Sequence, residues 1–259
     1  MKALVRRPSP RLGEGIVTHV ERLPVDAGRA RGQWEAYVGA LEDAGWETVE
    51  APPADDCPDA VFVEDAVVVF EHVAVVARPG AEVRRAETAG AEQAVAELDY
   101  TVERISEPAT LDGGDVLKVG DTLYVGVGGR TNDEGARQLR ELLEPFGATV
   151  IEVPIANVLH LKSAVTALPD GSIVGYAPLV PPFFRDFVAM PEKSGAHVVL
   201  LGGGKVMVAA DCPRSAELIA ARGYDPVVVD ISEFQKLESC VTCLSVRLRA
   251  AERDQTRYP

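Results

Sequence analysis

The segment Glu238-Ser-Cys-Val-Thr-Cys-Leu-Ser-Val-Arg247 sets Cys243 between a short apolar run and a small polar one. A thiol becomes a nucleophile when a histidine and a carboxylate reach it, and those partners can lie far away in sequence. The chain has four histidines, His19, His72, His160 and His197, so the search is short. His160, in Val158-Leu-His-Leu-Lys-Ser163, is the candidate general acid and base. An imidazole can give and take a proton near neutral pH because its ordinary pKa lies there. Upstream lie two acidic clusters, Phe62-Val-Glu-Asp65 and Leu111-Asp-Gly-Gly-Asp115. A carboxylate in such a cluster can hold a cation by charge-assisted hydrogen bonds. Adjacent acids inside the apolar run from Val61 to Phe70 are costly to bury without partners, so a cation is expected there. On a strand, Glu64 and Asp65 would point to opposite faces, which favours Asp65 as the anchor. These residues together point to a cysteine hydrolase acting on a cationic substrate.

Cys240 stands three residues before Cys243, which is also the spacing of a metal or redox pair. Zinc would need a second pair of ligands, and no nearby His or Cys supplies one. Redox pairs of this spacing open a helix, whereas this segment has a β-type composition. Cys240 is therefore read as a packing residue, and neither metal nor cofactor is expected.

Sequence length and composition suit a folded, soluble protein. The 259 residues are 47% hydrophobic and 25% charged, enough for a large core in a single domain. Forty acidic against 26 basic residues leave a formal charge of −14. That balance argues against nucleic acid and anionic membrane surfaces, and it allows a small cationic substrate. The N-terminal residues hold no apolar run of signal-peptide length, no stretch approaches a membrane span, and four cysteines are sparse for a disulfide-stapled domain. A cytoplasmic location follows as the expectation, as monomer or homodimer.

The elements that must position these residues recur along the chain. Asp115-Val-Leu-Lys-Val, a Gly120-Asp121 turn and Thr122-Leu-Tyr-Val-Gly-Val predict a hairpin. Residues 131 to 143 carry a cap, early acids and helically spaced leucines, and Gly147 to Pro154 predicts a strand. The same order is read from Ala60-Val-Phe-Val and Ala66 to Phe70, through a turn at Glu71-His72, Val73 to Arg78 and a helix over 86–98, to Tyr100–Ile105. It recurs around Ser163–Leu168 with Ser172–Tyr176, and again around Gly204–Ala210, a helix over 213–222 and Asp225–Ile231. The first module uses Lys2–Arg6, a helix over 32–44 and Trp46–Glu50, and the C-terminal strand would close the ring. Five ββαβ modules at a spacing of roughly 40–55 residues predict a β/α propeller; an open doubly wound sheet is the competing arrangement. No Gly-x-Gly-x-x-Gly turn follows any first strand, and Gly202-Gly-Gly-Lys205 reads as a turn. Residues from about 249 to 259 are expected to form a flexible tail.

Phe62-Val-Glu-Asp65, Arg78-Pro-Gly-Ala-Glu82, Leu111-Asp-Gly-Gly-Asp115, Gly129-Arg-Thr-Asn132, Leu159-His-Leu-Lys162 and Val241-Thr-Cys-Leu-Ser245 follow one another in a distinctive order. In this the chain resembles the dimethylarginine dimethylaminohydrolases, of the guanidine-modifying pentein superfamily, from the first strand to about Leu248. The resemblance implies a five-bladed β/α propeller (pentein fold). It implies hydrolysis of Nω-methylated L-arginines, asymmetric dimethylarginine and monomethylarginine, to L-citrulline and dimethylamine or methylamine through a covalent S-alkylthiouronium. Residue by residue it implies Cys243 as nucleophile, His160 as acid and base, and Asp112 as the carboxylate orienting His160, with Asp115 a competitor for that place. Asp65, assisted by Glu64, would hold the guanidinium. Arg84 and Arg130 would hold the α-carboxylate, with Arg85 an alternative to Arg84. Asp59 and the backbone carbonyls of Ile16 and Leu237 would meet the α-ammonium, and Gly13 to His19 could act as a lid.

Two departures stand out. Glu238-Ser239 replaces the Asp-Gly often found in the family, and Leu161-Lys-Ser163 differs from the Leu-Asp-Thr of arginine deiminases. The alternatives are a hydrolase or deiminase of another arginine derivative (Nω-hydroxyarginine, arginine, agmatine), a non-catalytic pentein binding module, and a thiol oxidoreductase built on the Cys240–Cys243 pair. The acid-rich surroundings imply that Cys243 stays protonated until a cation docks beside it.

Overall fold

In the computed structural model, residues 1–248 are described, and the expected tail at 249–259 lies outside them. In the first module β1 (Lys2–Val5) and β2 (Glu47–Glu50) run parallel, joined by α1 (Ala27–Asp43). The second has the antiparallel pair β3 (Val67–Phe70) and β4 (Val73–Val76), then α2 (Thr88–Ala96) and β5 (Thr101–Arg104) parallel to β4. The third repeats this with β6 (Val116–Val119), β7 (Thr122–Val127), α3 (Asp133–Leu143) and β8 (Thr149–Pro154). In the fourth, β9 (Val165–Ala167), β10 (Ile173–Gly175) and β11 (Val188–Ala189) pair in the same pattern, but turns replace the helix. The fifth has β12 (Val199–Gly202), β13 (Lys205–Ala209), α4 (Pro213–Ala221) and β14 (Asp225–Val229). After the short α5 (Ser232–Gln235), β15 (Val246–Leu248) returns antiparallel to β1 and supplies the strand the first module lacks. The result is five separate three-stranded sheets rather than one open sheet.

The core shows why the modules close into a ring. Successive side chains on a strand point to opposite faces, and in β3 and β4 both faces are buried. Val67 and Val69 pack with Leu4 and Leu248 of the first module, whereas Val68 and Phe70 pack with Leu123 and Leu139 of the third. Leu117 of the third module packs with Val165 of the fourth, and Val174 of the fourth packs with Val206 and Val208 of the fifth. Met207 and Ala209 of the fifth pack with Ala3 and Val5 of the first. Five hydrophobic clusters thus join five modules, each to the next and the last to the first. Fully burying one such Val or Leu contributes about 1.5–3 kcal/mol, so continuous apolar strands are what this architecture selects.

Local differences from the sequence reading have local causes. Helix α1 starts at Ala27 rather than at 32, because the Asp26 carboxylate accepts the Arg29 N–H at 2.9 Å and carries the helix through two glycines. The expected strand at Ala60–Val63 is a set of turns leading into a 3-10 turn at Val63–Ala66. Strand β12 was not anticipated; positive φ at Gly202, Gly203 and Gly204 turns it into β13. The segment around Cys243 is a turn over 241–244, not a strand. No helix among the described residues is long and apolar enough to cross a membrane.

The turn that carries Cys243 is anchored from α1. Buried Tyr37 donates its hydroxyl to the Val241 carbonyl at 2.8 Å and lies 2.8 Å from Ser245 Oγ. Tyr37→Phe leaves both groups short of a partner in the core. We expect it to lower unfolding free energy by about 1–3 kcal/mol in denaturant titration, with turnover falling alongside as the turn loosens.

Candidate active site

Segments from all five modules meet at one cleft of about 350 Å³, part of it open to solvent. Cys243, His160, Asp59, Asp65, Arg84 and Arg130 border it, with Ile16 and Leu237 in its walls. Glu64, Asp112 and Arg85 do not border it. Arg85 turns to Glu82 and to the Pro79 carbonyl.

Asp65 sits at the centre. Its segment is a 3-10 turn, so the two adjacent acids diverge around a tight coil instead of alternating across a strand. Asp65 Oδ2 accepts from Arg84 Nη1 at 2.6 Å and Oδ1 from the Gly114 N–H at 2.9 Å. His160 Nδ1 lies 3.8 Å from Oδ1. Burial alone would favour the neutral acid, but His160, Arg84 and the Gly114 N–H outweigh it and hold the carboxyl at about 2. The approach of these segments needs two glycines. A Cβ on Gly114 would lie 2.5 Å from His160 Nδ1, and one on Gly113 would lie 2.0 Å from the Glu64 carbonyl oxygen.

Glu64 turns behind Cys243. Lys162 Nζ donates to its Oε1 at 2.6 Å and Thr242 Oγ1 to its Oε2 at 2.8 Å, while the Glu64 N–H donates to the Cys243 carbonyl at 3.2 Å. Arg84 is likewise engaged. Its Nε and Nη2 donate to Glu87, Nη2 also to the Asp59 and Phe62 carbonyls, its Nη1 donates to Asp65, and one Nη1 hydrogen remains of its five. The open fork expected for an α-carboxylate is therefore largely committed at Arg84. Burial pushes the Glu87 carboxyl up to about 7 against the pull of Arg84. Asp59 accepts the Ile16 N–H on both oxygens, at 3.1 and 3.2 Å. Glu238 accepts from Thr18 N–H at 2.9 Å, Thr18 Oγ1 at 2.8 Å and the His19 N–H, so the Gly13–His19 loop is fastened at both ends of the cleft.

His160 Nε2 lies 3.0 Å from Asp112 Oδ2, and Asp112 Oδ1 accepts the Gly80 N–H at 2.8 Å. Asp115 does not reach the ring; it accepts from Leu161 N–H at 2.9 Å and Thr131 Oγ1 at 2.7 Å. Of the two acids in Leu111–Asp115, Asp112 therefore faces the imidazole. Burial works against a charged His160, but Asp65, the Asp112 hydrogen bond and Asp115 prevail and raise its pKa to about 10. Cys243 is pushed up well above the ordinary thiol value by the Cys240 thiol, by burial and by the charges of Glu64 and Asp65. Asp65, Asp112 and His160 bring donor atoms within 4.8 Å of one another, as a metal would require. Here those atoms serve one another and the N–H groups of Arg84, Gly114 and Gly80.

Sequence reasoning passed over Glu87 and noted Lys162 and Glu238 only as departures from the family pattern; the three brace Arg84, Glu64 and the 13–19 loop respectively. Arg84-Glu87 spacing on a helical turn was a legible sign for the first. The other two bridge segments 98 and 220 residues apart, which no local pattern encodes.

Comparison with known proteins decides the family. No protein-family model matches the chain. It is 66% identical over 250 residues, 97% of the relative, to the N(G),N(G)-dimethylarginine dimethylaminohydrolase of Streptomyces coelicolor. The chain belongs to the dimethylarginine dimethylaminohydrolase family. Identity to the Pseudomonas aeruginosa member is 37%, covering 94% of this chain and 98% of the relative. A crystal structure of a family member, a histidine-to-glycine variant in adduct with S-methyl-L-thiocitrulline, superposes with TM-score 0.90 at 35% identity, over 95% of this chain and 99% of that one. A cysteine-to-serine variant of the Pseudomonas aeruginosa protein complexed with citrulline superposes with TM-score 0.89 at 35% identity, over 95% and 98% of the two chains. These are pentein folds, and the five-module ring described above is this family's architecture.

The raised His160 pKa has a consequence for stability. Its contribution is fully present below about pH 6.5 and is lost as pH rises through about 10. We expect wild type to lose stability relative to His160→Asn across that window, by on the order of 1–3 kcal/mol. Denaturant midpoints of the two proteins at pH 6, 8 and 10 check this; parallel curves would remove the charged imidazole from the folded state.

Proposed function

We propose that the chain hydrolyses Nω-methylated L-arginines to L-citrulline and methylamine or dimethylamine, as one catalytic domain. The observation that carries the reading is one cleft holding Cys243 and His160 together with Asp59, Asp65, Arg84 and Arg130, in a chain of this family. Asp65 would take the guanidinium N–H groups. Asp59 and the Ile16 and Leu237 carbonyls would take the α-ammonium, and Arg130 with the free Nη1 hydrogen of Arg84 the α-carboxylate. Glu64 would act from behind, as charge rather than as contact. A guanidinium carbon is a poor electrophile, and a thiolate is the side chain best suited to it. Cys243, losing its proton as the cation docks, would add to that carbon. His160, oriented by Asp112, would protonate the departing methylamine and leave an S-alkylthiouronium. The neutral imidazole would then take a proton from water attacking the same carbon, and collapse would release citrulline and return the thiol. Two arginines beside the cleft favour a substrate with an α-carboxylate over agmatine, which lacks one. The four cysteines are free, which suits a cytoplasmic setting as monomer or homodimer.

Citrulline release tests the reading. Purified protein is offered asymmetric dimethylarginine, monomethylarginine, arginine, Nω-hydroxyarginine and agmatine, with ornithine scored as well. We expect citrulline from the methylated arginines, none from Cys243→Ser, and kcat lower by on the order of 10²–10⁴-fold in Asp112→Asn with KM little changed. Ornithine from the hydroxylated substrate would move the function to a related hydrolase. No turnover of any of them would overturn the enzyme assignment.

A further inference from the structure

Cys240 is more than a packing residue. Its Sγ lies 3.4 Å from Cys243 Sγ, and its backbone N–H also points to Cys243 Sγ at 3.4 Å. The Cys243 N–H donates to the Cys240 carbonyl at 3.2 Å, closing a four-residue turn. Such a turn brings its first and last Cα atoms within about 7 Å. A disulfide spans about 4.4–6.8 Å between Cα atoms, so only the sulfurs need to approach, by side-chain rotation. None of the turn residues 240–243 has positive φ to resist the closure. Cys243 borders the cleft and is partly exposed, whereas Cys240 is buried behind it. The outer sulfur thus meets solutes and the inner one waits within reach.

We propose that Cys240 and Cys243 form a reversible oxidation site, in which a hydroperoxide oxidises Cys243 and Cys240 resolves the product as an intramolecular disulfide. The Cys243 thiolate attacks the peroxide O–O bond, giving a sulfenic acid and hydroxide from hydrogen peroxide. Cys240 sulfur then attacks the Cys243 sulfur and expels the hydroxyl as water, with its own proton. The two thiols together lose two electrons and two protons, and the peroxide becomes two waters. A dithiol reverses the reaction by exchange. The pair also favours its own chemistry. The two sulfurs share one S–H contact and the Cys240 N–H points only to Cys243 Sγ, so the two thiols titrate jointly. Closing the bond consumes the nucleophile assigned above, so the loss of turnover rests on that assignment. The bond itself does not. The resolving thiol protects as well as inhibits, because a sulfenic acid with no partner proceeds to sulfinic acid, which thiols do not reduce.

The test compares wild type with Cys240→Ser and Cys240→Ala, each normalised to its untreated activity. The proteins receive a small excess of hydrogen peroxide, then catalase, then dithiothreitol or buffer. Intact mass, a non-reduced peptide map and citrulline release are read together. We expect wild type to lose two hydrogens, to show a Cys240–Cys243 cross-link, and to recover activity with dithiothreitol. The variants should gain oxygen at Cys243 and recover roughly tenfold less activity. A map without the cross-link, or equal recovery in wild type and variants, would overturn the proposal. Mass and map remain decisive even for a protein without hydrolase activity, so failure of this inference is distinguishable from failure of the enzyme assignment.

Discussion

The site depends on keeping one buried carboxylate charged. Asp65 is 3% exposed, and an unpaired anion there would cost several kcal/mol or simply take up a proton. It stays ionised because three other segments converge on it: the Arg84 guanidinium, the Gly114 N–H and the His160 ring. Each partner has its own support. Glu87 holds Arg84, the glycines of residues 113–114 let the backbone approach, and Asp112 holds His160. Distances around Asp65 are therefore fixed by how the second, third and fourth modules sit against one another. The hydrophobic clusters between neighbouring modules do that positioning.

The same charge distribution shapes the thiol. Glu64 lies behind Cys243 and Asp65 beside it, and both disfavour a second anion. Lys162 offsets part of the Glu64 charge, but it reaches Glu64 and not the sulfur. A resting thiol follows, one that a docked cation would release. A positive group docked near Asp65 would offset the Glu64 and Asp65 charges at the Cys243 sulfur.

Much of this was legible in the sequence, for physical reasons that differ by level. Alternation and turn chemistry gave β6 and β7 with Gly120-Asp121 between them, and Asn132 marked the start of α3. Strands buried on both faces read as unbroken apolar runs, as at Val67–Phe70. Cys243, His160 and Asp112 were visible as residue types in a familiar order, and the choice between Asp112 and Asp115 needed coordinates. What stayed hidden depends on distances between modules. The commitment of Arg84 to Glu87 and Asp65, the Lys162–Glu64–Thr242 chain and the Glu238 clasp on the 13–19 loop all join segments that no local pattern links. Two-residue β11 was beyond any periodicity, and Cys240 looked like packing until a turn placed its sulfur beside Cys243.

Positive charge docked beside Asp65 would ionise Cys243. The most direct measurement is the thiolate ultraviolet absorbance of wild type minus Cys243→Ser, followed against pH. It is made alone, with L-lysine and with L-norleucine. Lysine carries the cation and both α-groups but no amidine carbon for sulfur to attack; norleucine carries the α-groups without the cation. We expect a thiol that titrates well above neutral pH alone and with norleucine, and at clearly lower pH with lysine. A thiolate already formed below neutral pH without ligand, or a titration that lysine leaves in place, would contradict it.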